Sequence, residues 1–548
     1  MIRILKKYNY LFFILLLAGC KKSLNLAPKD QPSDASFWKG PADFQLAAND
    51  FYNGLQGAHN YTDNNSDIAF GSGANSVSDG SYLPADNSAT WDDAYKWIRS
   101  TNYLLQKAGE STLGTTIDRW VGEALFFRAY NYWKLAKTYG GVPKIEKVLE
   151  VTSEELFSPR ATQEEIFDFL LADLENAATK LPKQSELAGE ELGRVTQGAA
   201  LALRARAALY MGTWAKYHGQ GDPNKYLTIA IDAAEKIVTS GEYALYTEKG
   251  AESYKYLFIL EGDDSKEVIL ARRYYINRVT HNWTRELWFN YMVPTKNLAD
   301  LYLSTDGLPI TESSLFQGYN TLISEFQNRD PRMAMTFVVP GTLVFKETGF
   351  LPDFPGFLGS DATHTGYKIR KFMDETDDAA NFNGQYDFKE FRYGEVLLIL
   401  AEALYEKNSS IPDADLDRTI NVLRSRVNMP ALTNAFVTAN GLNMLDEIRR
   451  ERTVELAFEG FRRDDLRRWK TAETVLPQAL KGVKFAGTEY QTKYPDVKPG
   501  ENIQVDTNGF IVAEPASGRQ FLPKHYLDPI PLQQVQLSKG TLEQNTGW

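Results

Sequence analysis

Helical periodicity recurs in consecutive blocks between residues 118 and 241, and this run limits the possible fold more than any other feature. In DRWVGEALFFRAYNYWKLAKTYGGVP, Val121, Leu125, Ala129, Tyr132 and Ala136 fall at helix spacing, and Gly140, Gly141 and Pro143 end the block. In QEEIFDFLLADLENAATKLP, Ile166, Leu170, Leu174, Ala177 and Leu181 share a face ahead of Pro182. Thr196 is placed to cap QGAALALRARAALYMG, whose alanines allow close helix approach. NKYLTIAIDAAEKIVTSGEY adds a further helix, closed at Gly241. Two successive helix pairs with short connections and alanine-rich facing sides predict tetratricopeptide-like units, although the strict consensus is absent.

Helical signal returns in FKEFRYGEVLLILAEALYEKN, in DADLDRTINVLRSRVNMP and from Leu445 to Trp469. Between the helices lie long stretches rich in Gly, Asn, Asp and aromatics, at 59–90, 272–292 and 341–388. Loops of that length inside a compact fold are usually functional or disordered. The expected fold is therefore mostly α, a helical scaffold carrying long irregular segments and minor β. A net charge of −11 argues against general affinity for nucleic acid or anionic lipid.

Cys20 is the only cysteine in 548 residues, which excludes an internal disulfide framework and a multi-cysteine zinc site. Its flanks explain it better than thiol chemistry does. Arg3, Lys6 and Lys7 precede an apolar run from Tyr8 to Leu17, followed by Ala18 and Gly19. That pattern predicts a signal peptide over residues 1–19, since a membrane-spanning helix needs about 20 apolar residues. Leu17-Ala18-Gly19-Cys20 also resembles the bacterial lipobox, in which the chain is cut before the cysteine and the cysteine is acylated. Two or more acyl chains make a durable anchor. The expected organisation is a signal peptide (1–19), a polar, proline-containing lipidated tether (20–36) and one domain (37–548) held at a membrane outside the cytoplasm.

Five stretches, in order, carry a family resemblance. They are LNLAPKDQPSDASFW, ALFFRAYNYWKLAKTYGGVP, FRYGEVLLILAEAL, EIRRERTVELAFEGFRRDDLRRW and LDPIPLQQVQLSKGTLEQNTGW. Together they resemble the SusD/RagB family, surface lipoproteins of the Bacteroidetes that partner SusC-like TonB-dependent outer-membrane transporters. The resemblance implies one α-rich fold, capture of nutrients at the outer membrane, and no catalysis. The ligand it implies is an oligosaccharide; a peptide or other nutrient, or a mainly structural lid, are the alternatives. One departure stands out. Family export signals favour acidic residues soon after the lipid-bearing cysteine, whereas Lys21 and Lys22 follow here and the first acid is Asp30.

Enzyme signatures are missing from the sequence. His59, His218, His281, His364 and His525 form no His-Glu-x-x-His arrangement, and there is no Gly-x-Ser-x-Gly elbow or phosphate-binding loop. A glycosidase remains the enzyme rival, because the separation of two carboxylates is a spatial fact. Glu447, Glu451, Glu455 and Glu459 recur every four residues, with Arg449, Arg450, Arg452, Arg462, Arg463, Arg467 and Arg468 nearby to neutralise them; a structural ion-pair network is the expected reading. No metal or cofactor is expected. DNNSDIAFG opens like a calcium loop at Asp63, Asn65 and Asp67, but Ile68 and Ala74 occupy positions where an EF-hand needs Gly and Glu. A calcium site of another kind stays open.

Two segments look like the ligand site. Residues 59–90 lack Lys and Arg and abound in Ser, Asn, Asp and Gly, types suited to hydroxyl pairs of a sugar. YYINRVTHNWTRELWFNY, residues 274–291, holds six aromatics in 18 residues. Trp283, Trp288 and Tyr291 are the expected stacking platforms, with Asn64, Asn65, Asp79 and Arg285 as polar contacts.

Overall fold

A computed structural model describes residues 37–342, 344, 356–359, 362–376 and 383–548. The expected signal peptide, Cys20 and the expected lipidated tether fall outside the described residues, as does part of the 341–388 segment. Among the described residues no helix is long and apolar enough to cross a membrane.

The chain is mostly helical, as its periodicity predicts. Successive helices Ala89–Glu110 (α1), Asp118–Tyr139 (α2), Gln163–Lys180 (α3), Gln197–His218 (α4) and Pro223–Thr239 (α5) each pack on the next. Their ends follow local chemistry. Gly140 halts α2 at a positive φ of 74° that a side chain would resist. Thr162 and Glu165 form a capping box on α3, and the Thr196 hydroxyl accepts the Ala199 N–H at the start of α4. From Gly198 to Ala215 every residue of α4 is buried, so this helix is the centre of the scaffold. Arg206 survives there because Glu395 receives its guanidinium through two bonds of 2.7 Å.

Glu395 belongs to Tyr393–Asn408 (α6), which docks on α5 and α4 some 150 residues after the chain leaves them. The intervening chain builds a second apolar core around Tyr254, Trp283, Met292, Phe337, Tyr367 and Tyr386. Among the described residues, three two-stranded antiparallel sheets stitch this irregular body. Ala69–Phe70 (β1) pairs with Val293–Pro294 (β3), Val268–Arg272 (β2) with Phe388–Arg392 (β4), and Leu480–Lys484 (β5) with Phe510–Glu514 (β6). Residues 388–392, expected as the opening of a helix, are thus strand. Their backbone pairs with β2 and their side chains are all buried.

The expected helix from Leu445 to Trp469 is broken. Met444–Glu455 (α7) ends, Phe458 and Gly460 take positive φ of 65° and 86°, and Arg462–Arg468 (α8) begins. A Cβ on Gly460 would lie 2.6 Å from the Asn60 amide, so both backbone angle and space select glycine.

The ion-pair network is present, but its partners are not mainly the neighbouring arginines. Glu455 meets Arg332, Arg392 and Arg426 at 2.9, 2.9 and 2.5 Å. Glu451 meets Arg332 and Arg424, and Glu459 meets Arg392 and Lys371. Only Glu447 pairs within its own helix, with Arg450. The four-residue repeat turns one acidic face toward basic groups gathered from across the irregular body.

Candidate functional site

The structure brings the two sequence-selected segments together along one seam. The β1–β3 pair anchors one end of it, and Thr295 donates from its backbone to Ile68 and from its hydroxyl to the Asp67 carbonyl, at 3.1 and 2.6 Å. Farther along, Glu286 accepts from the Tyr61 hydroxyl and contacts His59 Nδ1 at 2.6 Å. Burial, together with the Glu286 carboxylate, pushes the Tyr61 hydroxyl above its ordinary value, so it remains a donor. Asn64 donates to the Tyr291 carbonyl at 3.0 Å, and Asn75 donates to Asn65 at 2.7 Å. The seam is therefore polar, cross-bonded and built from both segments.

The tryptophans do not form its surface. Trp283 is 1% exposed, set edge-on against Tyr61 and His59, so the expectation of an open platform there is corrected. Its seat is fixed by His281, whose Nδ1 accepts the backbone N–H of Trp283 at 3.2 Å while Nε2 bonds the Tyr386 carbonyl at 3.0 Å. Burial lowers the His281 pKa to about 4, which keeps the ring neutral and able to do both. Trp288 is 8% exposed and is covered by the Lys368 ammonium at 4.1 Å. Both rings belong to the second core.

Tyr291 is different: it is 47% exposed just beyond the short helix Trp283–Trp288. Tyr275, which the sequence did not single out, is 50% exposed in a tight turn closed by the Tyr275–Val279 bridge, with Asn277 at positive φ. Its hydroxyl accepts from the Arg273 guanidinium at 2.8 Å. Arg285 stacks on Phe289 at 4.5 Å and is half-buried. Asn64 is nearly buried and Asn65 half-buried. Asp79 works elsewhere. Its carboxylate accepts from Ser81 N and its carbonyl from Gln520 N, which hold a turn against the C-terminal segment. His59, Tyr61 and Glu286 were missed as individuals, and only their membership of the two segments pointed to them.

The calcium-like acids are also accounted for. The Asp63 carboxylate accepts the N–H groups of Gly460 and Arg462, the donors exposed by the break between α7 and α8. Asp67 receives the Arg462 guanidinium at 2.8 and 2.9 Å. Among the described residues no group of three His, Cys, Asp or Glu is placed to hold a metal ion.

Burial raises the Asp63 pKa to about 7, against the pull of those two N–H groups. The native state then keeps a proton that the unfolded chain loses above its ordinary value of 3.8, so this group's contribution to stability falls as pH rises from about 4 to about 7. Asp63→Asn is expected to flatten that decline by one proton's worth. Urea midpoints of both proteins across about pH 4 to 8 check it. An unchanged slope would show Asp63 ionised throughout.

Residues 261–548 match the SusD family, and residues 32–209 match a family described as starch-binding, associating with the outer membrane. A SusD-like protein of Formosa agariphila is 23% identical over 510 residues, spanning 86% of this chain and 93% of that protein. A SusD-like protein of Bacteroides ovatus is 24% identical, spanning 81% of this chain and 79% of its own. Among solved structures, a SusD-like carbohydrate-binding protein of Bacteroides fragilis superposes with a TM-score of 0.76 at 26% identity, covering 92% of this chain and 99% of that one. The family match spans more than half the chain and the fold agrees with a solved member over most of it: the protein belongs to the SusD family.

Proposed function

We propose that this protein is the nutrient-binding subunit of an outer-membrane importer, capturing an oligosaccharide and handing it to a SusC-like TonB-dependent transporter. The carrying observation is the seam, where Tyr291 exposes its ring beside fixed polar groups in a SusD-family chain. Exposed aromatic faces suit the apolar faces of sugar rings, and the amides of the seam suit their hydroxyls. The carbohydrate-binding description of the B. fragilis relative supports a glycan over other nutrients. Acylation of Cys20 would tether the body at the outer membrane, in keeping with the second family description. Binding without chemistry is sufficient for this role.

Calorimetric titration against panels of glycans and of peptides tests the reading. Saturable glycan binding without product is expected, and Tyr291→Ala should weaken it about three- to tenfold, the worth of one stacking face. Turnover of a glycan, or saturable binding confined to peptides, would overturn the proposal.

A further inference from the structure

Behind the seam, α2, α4, α6 and α8 enclose a cavity of about 330 Å³. Exposed Gln56 and half-buried Thr90 and Lys134 lie in its wall and connect it with the surface. Its wall carries nine Lys and Arg, of which Lys389, Arg392, Arg452 and Arg468 are also met by carboxylates set behind it, from Asp263, Glu267, Glu455 and Glu402.

Carboxylate compensation is thinnest at α8. Arg463 and Arg467 are one turn apart on the same face and both are buried. They share a single carboxylate oxygen, Asp528 Oδ1, at 3.2 and 3.4 Å, and that atom also accepts from the Tyr82 hydroxyl at 3.1 Å. These are long for charge-assisted bonds, which usually run about 2.7–2.9 Å. The Nε–H groups of both arginines have no protein acceptor, and neither has Nη1 of Arg452 in the same wall. Against these three donors stands one unpaired acceptor, Glu390 Oε2. Across the cavity on α2, Lys134 has no carboxylate within ion-pair distance among the described residues, and burial lowers its pKa. Buried donors without acceptors are uncommon in native proteins.

We infer that this cavity is a binding site for a small oxyanion, whose oxygens accept from Arg463, Arg467 and Arg452 and whose charge offsets the surplus around Lys134. Water can supply acceptors but not the charge. The shared chemistry is a carboxylate or an inorganic oxyanion. A hydroxylated carboxylate would in addition donate to Glu390, which favours a sugar acid over sulfate. Asn60, Thr62 and Asn65 line both the seam and this cavity, so the two sites share a wall, while the arginines that would hold the anion lie outside the seam.

Titration with sodium sulfate and with glucuronate, at constant ionic strength, distinguishes the two sources. Saturable binding of either with one site per chain is expected, tighter for glucuronate if Glu390 takes part. Lys134→Gln, on the half-buried rim, should weaken it about tenfold, as for loss of one charged contact. Arg463→Lys removes one of the orphan Nε–H groups while keeping charge and should weaken it by a similar factor. Crystals soaked in selenate should show an anomalous peak within hydrogen-bond distance of Arg463 and Arg467. No saturable binding of either anion, selenate confined to the outer surface, or unchanged affinity in Lys134→Gln would each overturn the site and leave a solvent-filled cavity.

Discussion

Glu455→Ala is expected to lower the unfolding free energy by about 3–5 kcal/mol, the cost of removing one partner from a buried ion-pair cluster. Glu455 has no exposed surface and meets three guanidinium groups. The loss would not fall on them equally. Arg332 keeps Asp330 and Glu451, and Arg392 keeps Glu459 and Glu267. Arg426 keeps only Glu267, which it shares with Arg392, so most of the cost is an under-compensated Arg426. Glu447→Ala supplies the control, because its partner Arg450 lies one turn away and reaches solvent. Urea unfolding should rank Glu455→Ala well above Glu447→Ala in cost. Equal costs would mean that the cluster relaxes or hydrates and is not held as a buried unit.

Acid should act on the same cluster. Burial opposes ionisation of Glu455, but Arg426, Arg392 and Arg332 outweigh it and hold the carboxyl well below its ordinary 4.5. A depressed folded value stabilises the protein fully above the unfolded value and less as pH falls through it. The cluster is therefore sensitive to acid, while Asp63 has the opposite slope at higher pH. The two groups are neighbours in function as well. The Glu455 cluster fixes the end of α7, and the break beyond it presents the N–H groups that hold Asp63 and with it the 59–90 segment.

That break shows where sequence reading stopped. Helices α2 to α5 were legible because their apolar period and their stop signals are local: Thr196 caps and Gly140 halts with no distant partner needed. The end of α7 was not legible, since Glu459 continues the four-residue repeat into a turn that exists to meet Asn60 and Asp63. Likewise FKEFR joins a strand only because β2 lies beside it. The site divides the same way. Composition selected the two segments that share the seam. It could not rank rings within them, because YYINRVTHNWTRELWFNY has no period that separates an inner from an outer face, and burial there is decided by contacts with Tyr61, His59 and Lys368.

The rings can be ranked by experiment. Trp283→Ala is expected to cost about 3 kcal/mol or more, toward the lower end of what large aromatic truncations cost in a core. Two effects oppose each other at this position. The indole fills the space between Tyr61, His59 and the second core, and its removal leaves a cavity. However, its Nε1–H has no protein acceptor, so the truncation also removes a buried unsatisfied donor, which offsets about 1–3 kcal/mol. Trp283→Phe keeps most of the volume and discards that donor, and it should therefore cost much less than the alanine change. Tyr291→Ala, at a half-exposed ring, should stay within about 0.5 kcal/mol of the parent while weakening glycan binding. Denaturant midpoints and glycan titrations on the same three variants decide the matter. If Trp283→Ala kept its stability and lost binding, the indole would be a platform that turns outward to its ligand. Loss of stability in Trp283→Ala with binding lost only in Tyr291→Ala would place the recognition surface at Tyr291, with the tryptophan as the support that holds Tyr61 and His59 against Glu286.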